Sequence, residues 1–222
     1  MPRRQDTKLV KSAGEHHVCA ELARRGWAGA LTRDGLARTD VLAVDTETRT
    51  TVELQVKAAG AAPSWQVGAK ALLPAESERE WFVMVHLGEP PAPPRSWVLP
   101  RNHLAAAAWL THQAWLHDEA AKPGTRNTPV ERARVDPDVI GGYEDRWDLL
   151  GRPAPEVPVM LPGWMRGAVA RYGLREGHPW LEALPGWSVS EQGAAPTYPP
   201  SRAFGPTPPG LTATGRRRVR SG

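Results

Sequence analysis

Trp81-Phe82-Val83-Met84-Val85-His86-Leu87 is apolar at every position but His86. A short run so nearly continuous is that of a central strand, buried on both faces, rather than of a hairpin with one wet side. The rest of the chain must supply neighbouring strands and covering helices.

Those neighbours are legible. Lys8 to Arg25 carries Val18, Cys19 and Leu22 at helical spacing and stops at Gly26, a residue suited to a left-handed helix terminator. Trp27–Leu31, Asp40–Val44 and Thr51–Lys57 follow as short strands. The last two are joined by the polar turn 45–50, which predicts an antiparallel meander. Trp65 to Leu73 reads as a helix after a Gly/Ala-rich stretch. Ser96–Leu99 reads as a strand beyond the proline loop 90–94, and Asn102 as the cap of a helix whose Leu104, Ala108 and Trp115 share a face. Tyr143, Trp147 and Leu150 form a last apolar stripe. The order is helix, three strands, helix, strand, strand, helix, an α/β arrangement.

Composition sets the boundaries. Residues 151–222 hold 12 of the 23 prolines and 11 of the 21 glycines, so the chain divides near Gly151 into a domain over 1–150, a partly ordered Pro/Gly-rich extension over 151–189 and a disordered basic tail over 190–222. The net charge of +4 belongs to that tail: residues 201–222 carry five arginines and no acid, leaving the body near neutral. A single cysteine, Cys19, excludes an internal disulfide and a cysteine-based zinc site. No stretch approaches the roughly 20 apolar residues of a membrane helix, and no secretory signal is visible, so no membrane is expected and the cytoplasm is the expected compartment.

Two features bear on chemistry. In Thr51–Lys57, Val52, Leu54 and Val56 face one way and Glu53, Gln55 and Lys57 the other. A half-buried strand with one wet face has that pattern, but Asp40, at the head of the antiparallel neighbour, brings a carboxylate beside the polar row. Glu15 lies on the apolar stripe of the first helix and needs a partner there, either a salt bridge to a residue such as Lys57 or a divalent cation held with Asp40. The histidines are poorly placed for metal. His16 and His17 diverge on a helix, and His112 and His117 do not align.

Glu15 after Gly14, Asp40, and Gln55-Val56-Lys57, in this order of elements, resemble the PD-(D/E)XK nuclease superfamily, which includes Holliday-junction resolvases, restriction enzymes and uncharacterised bacterial members. The resemblance spans about residues 8–100, with Trp147-Asp148-Leu149-Leu150 a weaker echo. It implies a restriction-endonuclease-like mixed central sheet flanked by helices, with the Pro/Gly-rich segment as a C-terminal extension. It also implies a metal-dependent endonuclease, a hydrolase of DNA phosphodiester bonds. Asp40, Glu15, Gln55 and the carbonyl of Val56 would hold Mg2+, or Mn2+, while Lys57 would position water and offset charge on the phosphate. Gln55 departs from the commoner acid of the motif, and Glu53 is the alternative ligand. Trp65 would stack on bases, and Arg216, Arg217, Arg218 and Arg220 would seek phosphates. A homodimer or larger complex would add DNA affinity to the near-neutral body. The alternative is a catalytically inactive member of the same fold that binds nucleic acid or protein.

Overall fold

The computed structural model describes residues 6–33, 37–60, 62, 64–120, 124 and 126–187. Helix α1 (Thr7–Ala23) starts where Asp6 accepts a hydrogen bond from the Lys8 N–H at 2.8 Å, a side-chain cap for one of the free amides of the first turn. It turns off at Gly26, whose φ of +82° suits glycine. Strands β1 (Trp27–Leu31), β2 (Val41–Asp45) and β3 (Thr51–Ala59) make the antiparallel meander the sequence predicts. β5 (Glu80–His86) runs parallel to β3, and β6 (Arg95–Pro100) antiparallel to β5. The result is a five-stranded mixed sheet in the order β1-β2-β3-β5-β6, with the apolar run of β5 inside it. Five of its seven residues, Trp81 to Val85, are at most 1% exposed.

The segment expected as a helix over 65–73 is different. Trp65–Gln66 is a strand, β4, paired with β7 (Arg134–Val135), and only Ala69–Leu72 coils, as a 3-10 turn. Gly68, at φ +77°, breaks the segment, and a partner some 70 residues away fixes Trp65. Helix α2 (Arg101–Leu116) begins directly out of β6 behind Pro100, not at an Asn102 cap. Asn102 instead accepts from the Ala75 N–H at 2.8 Å.

The two faces of the sheet are covered by different helices. α1 lies on the face of Val56 and Ala58. A Cβ built on Gly14 falls 2.5 Å from Ala58 Cβ, so only glycine permits this approach. α2 begins on the other face, where the Arg101 guanidinium lies 4.7 Å from the ring of Phe82. A single apolar cluster runs from Val18 through the sheet to Leu149, Val157, Leu161, Met165 and Trp180. The apolar cluster therefore continues across Gly151. Beyond it Ala154, Val157, Val159, Leu161, Leu174 and Trp180, and Met165 and Ala168 of α3 (Trp164–Tyr172), belong to the same core. The expected basic tail, with Arg216, Arg217, Arg218 and Arg220, lies outside the described residues. No helix among the described residues is long and apolar enough to cross a membrane.

Candidate active site

β3 outruns β2. Asp40, just before β2, donates its backbone N–H to Leu54 O at 2.8 Å and then accepts the Val56 N–H on Oδ2 at 2.9 Å. The carboxylate thus replaces the backbone acceptor that β2 no longer offers, which both satisfies Val56 and fixes Asp40 beside the polar row of β3. Asp40, Gln55 and Lys57 line one cavity of about 660 Å³.

Glu15 pairs with Lys11, one helical turn earlier, at 3.2 Å; the same ammonium lies 3.4 Å from Asp40 Oδ1. The expected Glu15–Lys57 bridge is therefore replaced by Lys11, which holds the two carboxylates together. Burial pulls the Lys11 pKa down, but Glu15 and Asp40 more than offset it and leave it raised. The apolar stripe of α1 points to Glu15 and not to Lys11, although the position of Lys11 four residues before Glu15 on one helix is a readable signal.

Lys57 is half-buried at the cavity and has no hydrogen bond or ion pair with any described residue. Burial lowers its pKa, Asp40 raises it, and the charges of Lys11, Arg101 and Lys70 lower it further. Gln55 is engaged differently from the expectation. Its Oε1 accepts from Arg101 Nη2 at 2.9 Å. Arg101, 1% exposed, also donates to Lys70 O at 3.1 Å and is ion-paired with Glu80, itself 4% exposed. Glu80 in turn holds Arg38 at 2.8 Å. Burial pushes the Arg101 pKa down to about 10, which leaves it a cation at neutral pH. This ionic cluster joins β3, β5, α2 and the loop before β2, and nothing in the local sequence around Arg101 announces it.

Other expected residues fall apart from this arrangement. Glu53 accepts from Thr39 Oγ1 at 3.4 Å and does not line the cavity. Trp65 is not an exposed loop aromatic. It is 3% exposed, pinned by the pairing of β4 with β7 and by its indole N–H donating to Val85 O at 2.9 Å; it lines the cavity but is too buried to stack on a base as expected. His16 bonds Ser12 O at 2.8 Å and His17 bonds Ser96 Oγ at 3.0 Å, in separate surroundings.

Among the described residues, no group of three or more His, Cys, Asp and Glu side chains is gathered to hold a metal. The two carboxylates of Glu15 and Asp40 nevertheless converge on one cationic nitrogen, and Mg2+ needs only one or two carboxylates with other oxygens and water. The donor set fits a small hard cation at that position. Comparison with protein-family models, curated proteins and solved structures returns no match to this chain.

Proposed function

We propose that the chain is a Mg2+-dependent nuclease of the PD-(D/E)XK type, with the restriction-endonuclease-like form of its α/β fold, hydrolysing phosphodiester bonds of DNA. The observation that carries the reading is Lys57, a half-buried ammonium on the cavity wall without a partner among the described residues, two positions from Gln55 and beside Asp40. An unpaired, partly desolvated charge is unfavourable in the free protein, and a phosphate entering the cavity would relieve it. The second support is the order α1, meander, then a strand parallel to β3, together with Glu15 and Asp40 sharing the Lys11 ammonium while Asp40 and Lys57, not Glu15, line the cavity.

Glu15, Asp40 and the Val56 carbonyl would hold the cation. When bound, Mg2+ supplies charge for the phosphate and lowers the pKa of water. Asp40 is oriented for its part by the Val56 N–H. Lys57 meets a non-bridging phosphate oxygen and offsets the charge that grows there, a role suited to a compact point charge. Lys11, whose side chain is 55% exposed, has room to leave the carboxylates and turn towards the DNA backbone.

The second reading, a non-catalytic nucleic-acid-binding member of the same fold, draws on the same Lys11, which already satisfies both acids. Plasmid and branched DNA incubated with Mg2+ or Mn2+, and with EDTA, separate the two. Metal-dependent cleavage that disappears in Lys57→Ala supports the nuclease. DNA binding by wild type without cleavage in either metal assigns the binding module.

A further inference from the structure

The geometry points to Gln55 as a hydrogen-bond donor to a phosphate oxygen of the nucleic-acid backbone, not as a metal ligand; this rests on the nuclease reading for the identity of the anion. Arginine carries only donors, so whichever atom of the Gln55 amide meets Arg101 must be its oxygen. That oxygen is 2.9 Å from a guanidinium buried under Phe82 and held by Glu80. A divalent cation on the same oxygen would stand against the Arg101 charge. The amide NH2 is thereby turned away from Arg101, and it donates to no described residue. Gln55 lines the cavity while Arg101 does not, so the NH2 is the polar part of the side chain left for the cavity.

Lys57 stands two residues further on the same face of β3, about 7 Å along the strand. An ammonium and an amide NH2 side by side on one wall, both without described acceptors, form a donor pair for an anion with several oxygens. A carboxylate at position 55 would place acceptors there instead. The glutamine is accordingly matched to Arg101: it accepts from the buried cation on one side and donates to the ligand on the other. Arg101 has Glu80, shared with Arg38, as its ion-pair partner and does not depend on a carboxylate at position 55.

The test uses Gln55→Met, which keeps side-chain length without donor or charge, and Gln55→Glu, which offers Arg101 a carboxylate and keeps its pairing. Affinity for a short labelled DNA duplex is measured in EDTA, and Mn2+ affinity by calorimetry without DNA. The expected result is about tenfold weaker duplex binding in Gln55→Met and a larger loss in Gln55→Glu, with Mn2+ affinity unchanged in both. Tighter Mn2+ binding by Gln55→Glu, with cleavage retained, would make Gln55 a ligand and overturn the inference. So would duplex affinity indifferent to both substitutions. If wild type cleaves nothing but its duplex binding depends on Gln55 and Lys57, the nuclease reading fails while the donor pair stands.

Discussion

Asp40 and Lys57 are neighbours on one wall of the cavity, yet each is held by different physics, and their substitutions should separate accordingly. Asp40 accepts a backbone N–H, so Asp40→Ala leaves Val56 without its acceptor and should cost about 1 kcal/mol, whereas Asp40→Asn keeps an acceptor and should melt near wild type. If the chain is the proposed nuclease, both should lose cleavage by about a hundredfold or more, because a cation held there would need the charge. Melting curves and cleavage rates of the pair check this; retained cleavage in Asp40→Asn would remove Asp40 from the metal set. Lys57 should behave in the opposite way. Burial lowers its folded pKa below the ordinary lysine value of 10.5, so the unfolded chain binds the extra proton more readily in the window between the two. Stability from this group rises with pH through that window, and below it the folded state carries the penalty of the charge. Lys57→Met should therefore melt higher than wild type at neutral pH, with the advantage shrinking as pH approaches 10.5, and added duplex DNA should stabilise wild type alone. A melting temperature lowered by the substitution would mean that the ammonium has a structural partner.

At the scale of elements, the site depends on how close α1 comes to β3. Gly14 sits one residue before Glu15, and the close approach at Ala58 sets the height from which Lys11 and Glu15 reach Asp40. Gly14→Ala should destabilise by about 1–3 kcal/mol, as overpacking does, and Ala58→Gly in the same chain should restore part of the loss by making room for the added methyl. Calorimetric melts of the two single variants and the double variant check the coupling; additive effects would mean that the helix shifts elsewhere. The same elements show what the sequence made readable. The stripe of Val18 and Leu22, the polar turn 45–50 and the alternation of β3 are local patterns, and α1 and the meander follow from them. The strand at Trp65, inside a segment that reads as a helix, and the role of Arg101 are not local patterns, because both are decided by distant partners: β7 for the first, and Glu80, Gln55 and Lys70 for the second. The place of Asp40 at the head of a strand beside the polar row of β3 is legible in the sequence, but its hydrogen bond to Val56 depends on where β2 begins.

On the scale of the whole molecule, the C-terminal segment is tied to the domain through a buried polar chain. Tyr143 accepts the Met160 N–H at 2.9 Å, and its hydroxyl proton is then available to His103 Nδ1 at 2.7 Å. His178 closes on the other side, accepting the Trp180 N–H on Nδ1 and bonding Asn102 O through Nε2. His103, 3% exposed, has its pKa pushed down to about 3 by burial, with the nearby His178 adding to the shift. Burial lowers His178 as well, partly offset by the Asn102 carbonyl. A histidine whose folded pKa is depressed contributes stability above its unfolded pKa of about 6.5 and loses it as pH falls towards the folded value. Between those limits each pH unit should remove about 1.4 kcal/mol through His103 alone. Replacement by glutamine keeps an acceptor for the Tyr143 hydroxyl and removes the titration. Wild type should thus lose stability more steeply than His103→Gln from pH 6.5 down towards pH 4, measured by denaturant melts at each pH. Parallel curves would show that the imidazole protonates in the folded state, and that the chain through Tyr143 to Met160 tolerates the charge.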